Sequence, residues 1–360
     1  MRSTIEIDGR RIGHGQPVYL VAEMSANHGG SLEHACRVLR AAAAAGADAI
    51  KIQTYTADTL TLDCQESPFR IGADSPWANR TLYELYQEAH TPWGWQAELK
   101  ALADELGITL FSTPFDASAV EFLEELAVPA YKIASFELVD LGLIERVGRT
   151  GKPVILSTGL ASLAEIGEAV DTVRSTGNEQ LLLLKCTSAY PAEPGQMQLR
   201  TIPDLAERFE VPVGLSDHTL GTVVPLTSVA LGASMIEKHF CLSREEGGPD
   251  SSFSMEPADL SRLVQEVRTA EAALGTVRYG PGESELESLL FRRSLFAVED
   301  IEEGELLTTR SVRSIRPGHG LAPKHLEEVL GCRARTAIRR GTPLSWELVQ
   351  RSHASSPDHP

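Results

Sequence analysis

A chain of 360 residues exceeds one ordinary domain, and a hydrophobic content of 42% supports a packed core rather than a disordered polymer. A net charge of −17 argues against nucleic acid or an anionic membrane surface as the main partner, although locally gathered lysines and arginines can still hold a small anionic metabolite. The opening MRSTIEIDGRRIG has no signal-peptide core and no run reaches transmembrane length. The five cysteines (Cys36, Cys64, Cys186, Cys241, Cys332) contain no CxxC pair. A soluble protein of the reducing cytoplasm is expected.

In chain order, eight strand-like runs are predicted between residues 18 and 242. They are VYLVAEMS (18–25), AIKIQTY (49–55), TLFSTPF (109–115), AYKIAS (130–135), PVILSTG (153–159), LLLLKCTS (181–188), PVGLSDH (212–218) and MIEKHFCL (235–242). Amphipathic stretches such as SLEHACRVLRAAAAAGA and LAEIGEAVDTVRSTG separate them and end in glycine, a helix-stop signal. The last such run, ADLSRLVQEVRTAEAALG, supplies an eighth helix. Eight alternating strand–helix units over roughly 250 residues give an α/β fold of the (β/α)8 TIM-barrel type. The longest insert, about 56–92, follows the second strand and is expected over the active-site face. Past Gly275 the texture changes. Residues 1–275 form the predicted catalytic barrel, 276–290 a linker with some helical turn, 291–350 a compact, mostly β domain and 351–360 a disordered tail.

Barrel chemistry collects at the C-terminal strand ends, and strand alternation decides which side chains face inward together. His218 and His239 end two consecutive strands, so their imidazoles are expected in one cleft. Two neutral imidazoles can ligate a divalent metal and leave positions open for substrate. Glu237 shares a strand with His239 at spacing two. Lys51 and Gln53 share a face of the second strand, and Lys132 and Ser135 close the fourth. Glu23 stands near the end of the first, with Asn27 and His28 beyond it. Hydroxyls are offered by Ser112 and Thr113, Ser157 and Thr158, Thr187 and Ser188. Two lysines within a ring of hydroxyls suit a small molecule carrying phosphate and carboxylate. Ser216, Asp217 and His218 are consecutive, so they do not make a hydrolase triad. No Walker A loop or convincing GxGxxG is present.

Taken together, AEMSANHGGS, GADAIKIQTYT, FSTPFD, AYKIASFE, ILSTG, KCTSAYP, VGLSDHT, IEKHF and GGPDSSFSMEP resemble the nonulosonic (sialic) acid synthase family, which condenses phosphoenolpyruvate with an amino sugar. SIRPGHGLAP looks like that family's antifreeze-protein-like (SAF) module, and the resemblance spans nearly the whole chain. EMSANH, IKIQTYT and DSSFSM are most similar to the pseudaminic branch, whose acceptor is a diacetamido-trideoxy hexose. Sialic synthases usually carry Gly or Val at Ser25 and Ala26, His at Ser251 and Asn at Ser188.

The resemblance implies that Lys51, Thr113, Lys132, Ser135, Ser157, Ser188 and Ser216 hold phosphoenolpyruvate. It implies that His218 and His239 ligate Mn²⁺, Mg²⁺ or Co²⁺, and that Glu23, Gln53, Tyr190 and Asp250 contact the sugar. Arg316 matches an arginine that reaches the partner's active site in a domain-swapped homodimer. Glu23, His218 and His239 are the implied catalytic groups, Glu23 orienting the sugar or handling a proton. The alternatives are the same chemistry on N-acetylmannosamine or a legionaminic acid precursor, a Schiff-base pyruvate aldolase using Lys132 or Lys185, and a non-catalytic sugar-binding protein.

Overall fold

A computed structural model describes residues 4–72 and 77–351; the predicted tail, but for Arg351, lies outside these residues. The chain divides after Gly275 into two compact units.

The first unit opens with a hairpin that the strand prediction omitted. Strand β1 (Thr4–Ile7) pairs antiparallel with β2 (Arg10–Gly13), and Asp8 and Gly9 turn between them at φ 48° and 74°. Two successive positive φ values define the tight turn that Asp-Gly favours. Then come eight parallel strands: β3 (Tyr19–Glu23), β4 (Ala49–Thr54), β5 (Thr109–Pro114), β6 (Tyr131–Ile133), β7 (Val154–Ser157), β8 (Leu181–Cys186), β9 (Val213–Asp217) and β10 (Met235–His239). They close into a barrel in sequence order, β10 pairing with β3. All eight predicted strand positions are occupied.

Helices ring the barrel because each connection carries an apolar stripe and its own stop signals. Helix α1 (Leu32–Ala45) starts where the Ser31 side chain accepts the His34 N–H, and ends at Gly46 with φ 90°. The long insert holds α2 (Ala57–Leu60) and α3 (Leu82–Ala89), so it is less irregular than its composition suggests. The shell continues with α4 (Trp93–Leu106), α5 (Ala117–Glu125), α6 (Leu141–Gly148), α7 (Leu163–Ser175), α8 (Thr201–Phe209), α9 (Val223–Ala230) and α10 (Pro257–Leu274). None of the described helices is long and apolar enough to cross a membrane.

Alternation sorts every strand. Tyr19, Val21, Ala49, Phe111, Ala130, Ile155, Leu182, Leu184 and Met235 face inward and pack with Ile5, Ile7 and Ile12 of the hairpin, all 1% exposed or less. The hairpin therefore plugs the N-terminal end of the barrel. Outward residues such as Leu20, Ile50, Leu156 and Leu215 pack against the helices.

The second unit is a small β domain. Strand β11 (Ser294–Ala297) pairs antiparallel with β12 (Val312–Ile315), and β13 (Arg333–Ala334) with β14 (Val349–Gln350). Leu295, Ala297, Ile301, Leu307, Val312, Ile338, Leu344 and Val349 are among its core residues. Two short 3₁₀ turns, Glu283–Glu285 and Glu287–Phe291, precede it.

Candidate active site

Above the apolar plug, the inward positions turn polar. Glu23 on β3, Lys51 on β4, Lys132 on β6, Ser157 on β7, Ser216 on β9 and Glu237 on β10 are each 5% exposed or less. Lys51 Nζ stands 2.8 Å from Glu23 and 3.5 Å from Glu237, and donates to Thr113 Oγ1 at 3.1 Å. Lys132 Nζ lies 3.6 Å from the same Glu237 oxygen, which accepts from Ser216 Oγ at 3.4 Å. Two ammonium groups thus converge on one carboxylate. Gln53 donates to Glu23 and to Ser25 Oγ, each at 2.9 Å.

These contacts push the two acids in opposite directions. Burial raises the Glu23 carboxyl above its usual range, and Glu237 adds to that against the pull of Lys51. Burial also acts on Glu237, but Lys132 and Lys51 outweigh it and hold this carboxyl low. Burial likewise lowers Lys132, while on Lys51 the two facing carboxylates win and raise it. The two acids are thereby set apart: Glu237 is held towards its ionised form, and Glu23 is the one biased towards carrying a proton.

The hydroxyl ring is built at the strand ends. Gly159 donates its N–H to Ser135 Oγ at 3.1 Å, and a Cβ at Gly159 would stand 2.4 Å from Ser188 Oγ and 2.7 Å from Ser135 Oγ. A methyl there would push both serine hydroxyls aside. Ser157 Oγ and Glu237 Oε2 are buried without a hydrogen-bond partner among the described residues. Buried polar atoms seldom stay unsatisfied: Ser157 Oγ is free to donate to a ligand, whereas Glu237 Oε2 can only accept from one.

The two histidines do share one cleft, with ring centroids 5.4 Å apart. His218 makes a 2.9 Å hydrogen bond from Nδ1 to the Thr187 carbonyl, while His239 Nδ1 is buried with no hydrogen-bond partner. Burial first, then His218 and the lysines, keeps His239 well below the ordinary histidine value. Burial opposes charge on His218 too, but Cys186 outweighs it and raises this imidazole; the thiol in turn is drawn down to about 7 against its own burial. A neutral imidazole with an unpartnered ring nitrogen is a competent metal donor. Among the described residues no three His, Cys, Asp or Glu side chains form a metal cage. The two facing imidazoles are the donors this cleft offers a divalent ion.

Farther out, residues that follow the strand ends, Tyr86 of α3 among them, build two aromatic walls. Tyr190 lies 4.3 Å from His218 and 5.2 Å from Phe253 between ring centroids; across the mouth, Tyr55 meets Phe115 at 5.0 Å and Tyr86 at 5.8 Å. Asp250, buried, accepts the Ala26 N–H at 3.4 Å and stands 3.8 Å from His239. The rim also exposes Phe136, Val139, Leu160, Leu220 and Val223, all in segments that follow strand ends.

Of the sequence-predicted residues, Glu23, Lys51, Gln53, Thr113, Lys132, Ser135, Ser157, Ser188, Tyr190, Ser216, His218, His239 and Asp250 lie at this end of the barrel. Arg316 belongs to the second unit, where it is exposed and forms no ion pair among the described residues. Other candidates point elsewhere. Ser112 faces the helices and bonds Thr54 and the Ile52 carbonyl; Lys185 also faces outward, donating to the Cys186 carbonyl at 2.6 Å. His28 packs on Trp95 and bonds the Ala89 carbonyl, and Asn27 braces Phe240 and Ser254. Lys185 is therefore unsuited to Schiff-base chemistry in the cleft. Cys186 and Gly159 were not singled out from sequence. Cys186 shares strand parity with Leu182 and Leu184, which was the available signal.

Residues 38–279 match the NeuB family and residues 292–350 the SAF domain. Pseudaminic acid synthase of Helicobacter pylori is 45% identical over 338 residues, covering 94% of this chain and 99% of that protein. N,N'-diacetyllegionaminic acid synthase of Legionella pneumophila is 36% identical, covering 97% and 100%. Among solved structures, the N-acetylneuraminic acid synthetase of Leptospira borgpetersenii, in complex with citrate, superposes with a TM-score of 0.72 at 34% identity, covering 80% of this chain and 95% of that one.

Proposed function

The chain belongs to the NeuB family and carries a SAF domain, and we propose that it makes pseudaminic acid. In this reading it condenses phosphoenolpyruvate, 2,4-diacetamido-2,4,6-trideoxy-L-altrose and water, and releases phosphate. The observation that carries the chemistry is the convergence of Lys51 and Lys132 on Glu237 beside a pair of buried histidines. The choice of sugar is supported by the greater identity to a pseudaminic than to a legionaminic acid synthase.

Two buried ammonium groups match a substrate with two anionic ends. Lys51 and Lys132 neutralise phosphate and carboxylate, and Thr113, Ser135, Ser157, Ser188 and Ser216 donate around them. This holds the enol carbon 3 within reach of the open-chain aldehyde, whose carbon forms the new C–C bond. His218 and His239 would hold a divalent cation, which when bound supplies Lewis-acid polarisation of a carbonyl oxygen. Water then adds at carbon 2, and the carbon 2–oxygen bond breaks so that phosphate leaves. Glu23, with its raised carboxyl and its bond to Gln53, delivers the proton that turns the aldehyde oxygen into the new hydroxyl. Asp250 and Tyr190 contact the sugar.

We also propose that the active form is a homodimer in which the partner subunit's Arg316 completes the sugar site. The unpaired, exposed arginine and the apolar barrel rim support this.

The first test is phosphate release with Mn²⁺ and three sugars in parallel: the L-altrose derivative, 2,4-diacetamido-2,4,6-trideoxy-D-mannose and N-acetylmannosamine. Release with the first alone is expected. Preference for another sugar keeps the mechanism and overturns the substrate. No release, with pyruvate trapped on Lys132 by borohydride, favours an aldolase. A second test is Gly159→Ala: the added methyl displaces Ser135 and Ser188, so KM for phosphoenolpyruvate should rise about tenfold or more while thermal stability stays near wild type. An unchanged KM removes these serines from the anion site.

A further inference from the structure

The residues immediately before the two histidines are charged, buried and bonded to each other. Alternation turns His218 and His239 into the barrel, so Asp217 and Lys238 point outward among the helices, where a lone charge is costly. Lys238 Nζ donates to Asp217 Oδ2 at 2.8 Å and to the Thr219 carbonyl at 2.5 Å. Asp217 also accepts the Thr219 N–H at 3.0 Å and the Thr219 hydroxyl at 3.1 Å. The β9–β10 register ends at Lys238↔Asp217. His218 and His239 thus stand one residue past the last β9–β10 pair: His239 keeps its register with Glu23 of β3, and the His218 carbonyl accepts the Ala192 N–H at 3.0 Å, but no ladder pair joins the two histidines to each other.

We propose that the Lys238–Asp217–Thr219 bridge is a clamp that sets the spacing of the two imidazoles and so tunes the affinity of the cation they hold. It acts through the strands and touches neither substrate nor cation, which makes Asp217 and Lys238 positioning residues. The proposal rests on the reading of the histidines as metal ligands. Buried ion pairs often contribute little net stability, so such a pair on the reverse side of the ligands fits a geometric role better than a stabilising one.

The test compares metal-free wild type with Asp217→Asn/Lys238→Met, which removes both charges but keeps the acceptor for the Thr219 N–H. Mn²⁺ binding is followed by titration calorimetry and electron paramagnetic resonance, and folding by thermal melting. The expected result is a melting temperature near wild type with Mn²⁺ affinity weakened about tenfold or more, the range seen when partners of ligating residues are removed. Lys238→Arg, which keeps the charge but sets a bulkier, planar donor in this buried site and so shifts the bridge, should weaken Mn²⁺ binding by a smaller factor and serves if the double variant fails to fold. Wild-type Mn²⁺ affinity in whichever variant folds overturns the clamp alone. No Mn²⁺ binding by the wild-type protein overturns the metal reading and the clamp with it.

Discussion

Replacing Lys51 with Met should cut turnover by about 10²–10³-fold, the usual loss when one preorganised donor to a developing charge is removed. It should also destabilise the barrel, because Lys51 is the ion partner of Glu23 and lies within 3.5 Å of Glu237. Its removal leaves two buried carboxylates facing one ammonium group. Breaking a buried pair in this way costs roughly 3–5 kcal/mol, on the order of 10 °C in melting temperature for a domain of this size.

The sign of the pH effect follows from Glu23. Its folded-state carboxyl is already raised, and losing Lys51 raises it further. An acid that binds its proton more tightly when folded favours folding as pH falls towards its unfolded value, and loses that advantage as pH rises through the folded value. The Lys51→Met deficit should therefore shrink as pH falls from neutrality towards the ordinary carboxylate range. Adding Glu23→Gln should recover most of the stability at pH 8 and none of the activity. Melting curves across pH, beside initial rates, check both halves; a deficit independent of pH would mean that Glu23 does not carry the unbalanced charge.

Stripping divalent metal from the wild-type protein, or replacing His239 with Ala, should each reduce turnover by about 10³-fold or more, since Lewis-acid stabilisation is worth several kcal/mol. The two losses differ in what reverses them. Mn²⁺ should restore the stripped wild type and leave His239→Ala inactive. The variant should melt close to the metal-free wild type, because no hydrogen bond among the described residues depends on His239 Nδ1. His218→Ala should cost more stability, for it abandons the Thr187 carbonyl. Full activity after exhaustive chelation would exclude the metal role for both histidines.

The barrel strands were legible because each is a short apolar run closed by a polar end, and period-two alternation then divided inward from outward positions. That rule places Lys51 with Gln53 and Glu237 with His239, as the structure has them. Applied to every strand, it would also have sent Ser112 and Lys185 outward and brought Cys186 in beside His218. The N-terminal hairpin carried its own signal, Asp-Gly between TIEI and RRIG, which a search for targeting sequences passes over. Other features needed three dimensions. Nothing local shows that Gly159 has two serines against it, or that Lys238 and Asp217 meet across adjacent strands. Electrostatics was legible least of all: Glu23 and Glu237 look alike in sequence, and only the lysine count around each separates them.

The hairpin that stoppers the barrel has a kinetic meaning. Ile5, Ile7 and Ile12 pack across the lower end, so among the described residues the way in is the upper mouth. The lysine pair sits on the strands themselves, whereas the aromatic walls belong to segments beyond them, and a ligand on the lysines must pass the place where the outer ligand will rest. Traffic through a single mouth is first in, last out. On the proposed reading, in which the lysines hold phosphoenolpyruvate as the deeper guest, the order of addition would be imposed by the stopper at the far end of the tube rather than by the relative affinities of the two substrates.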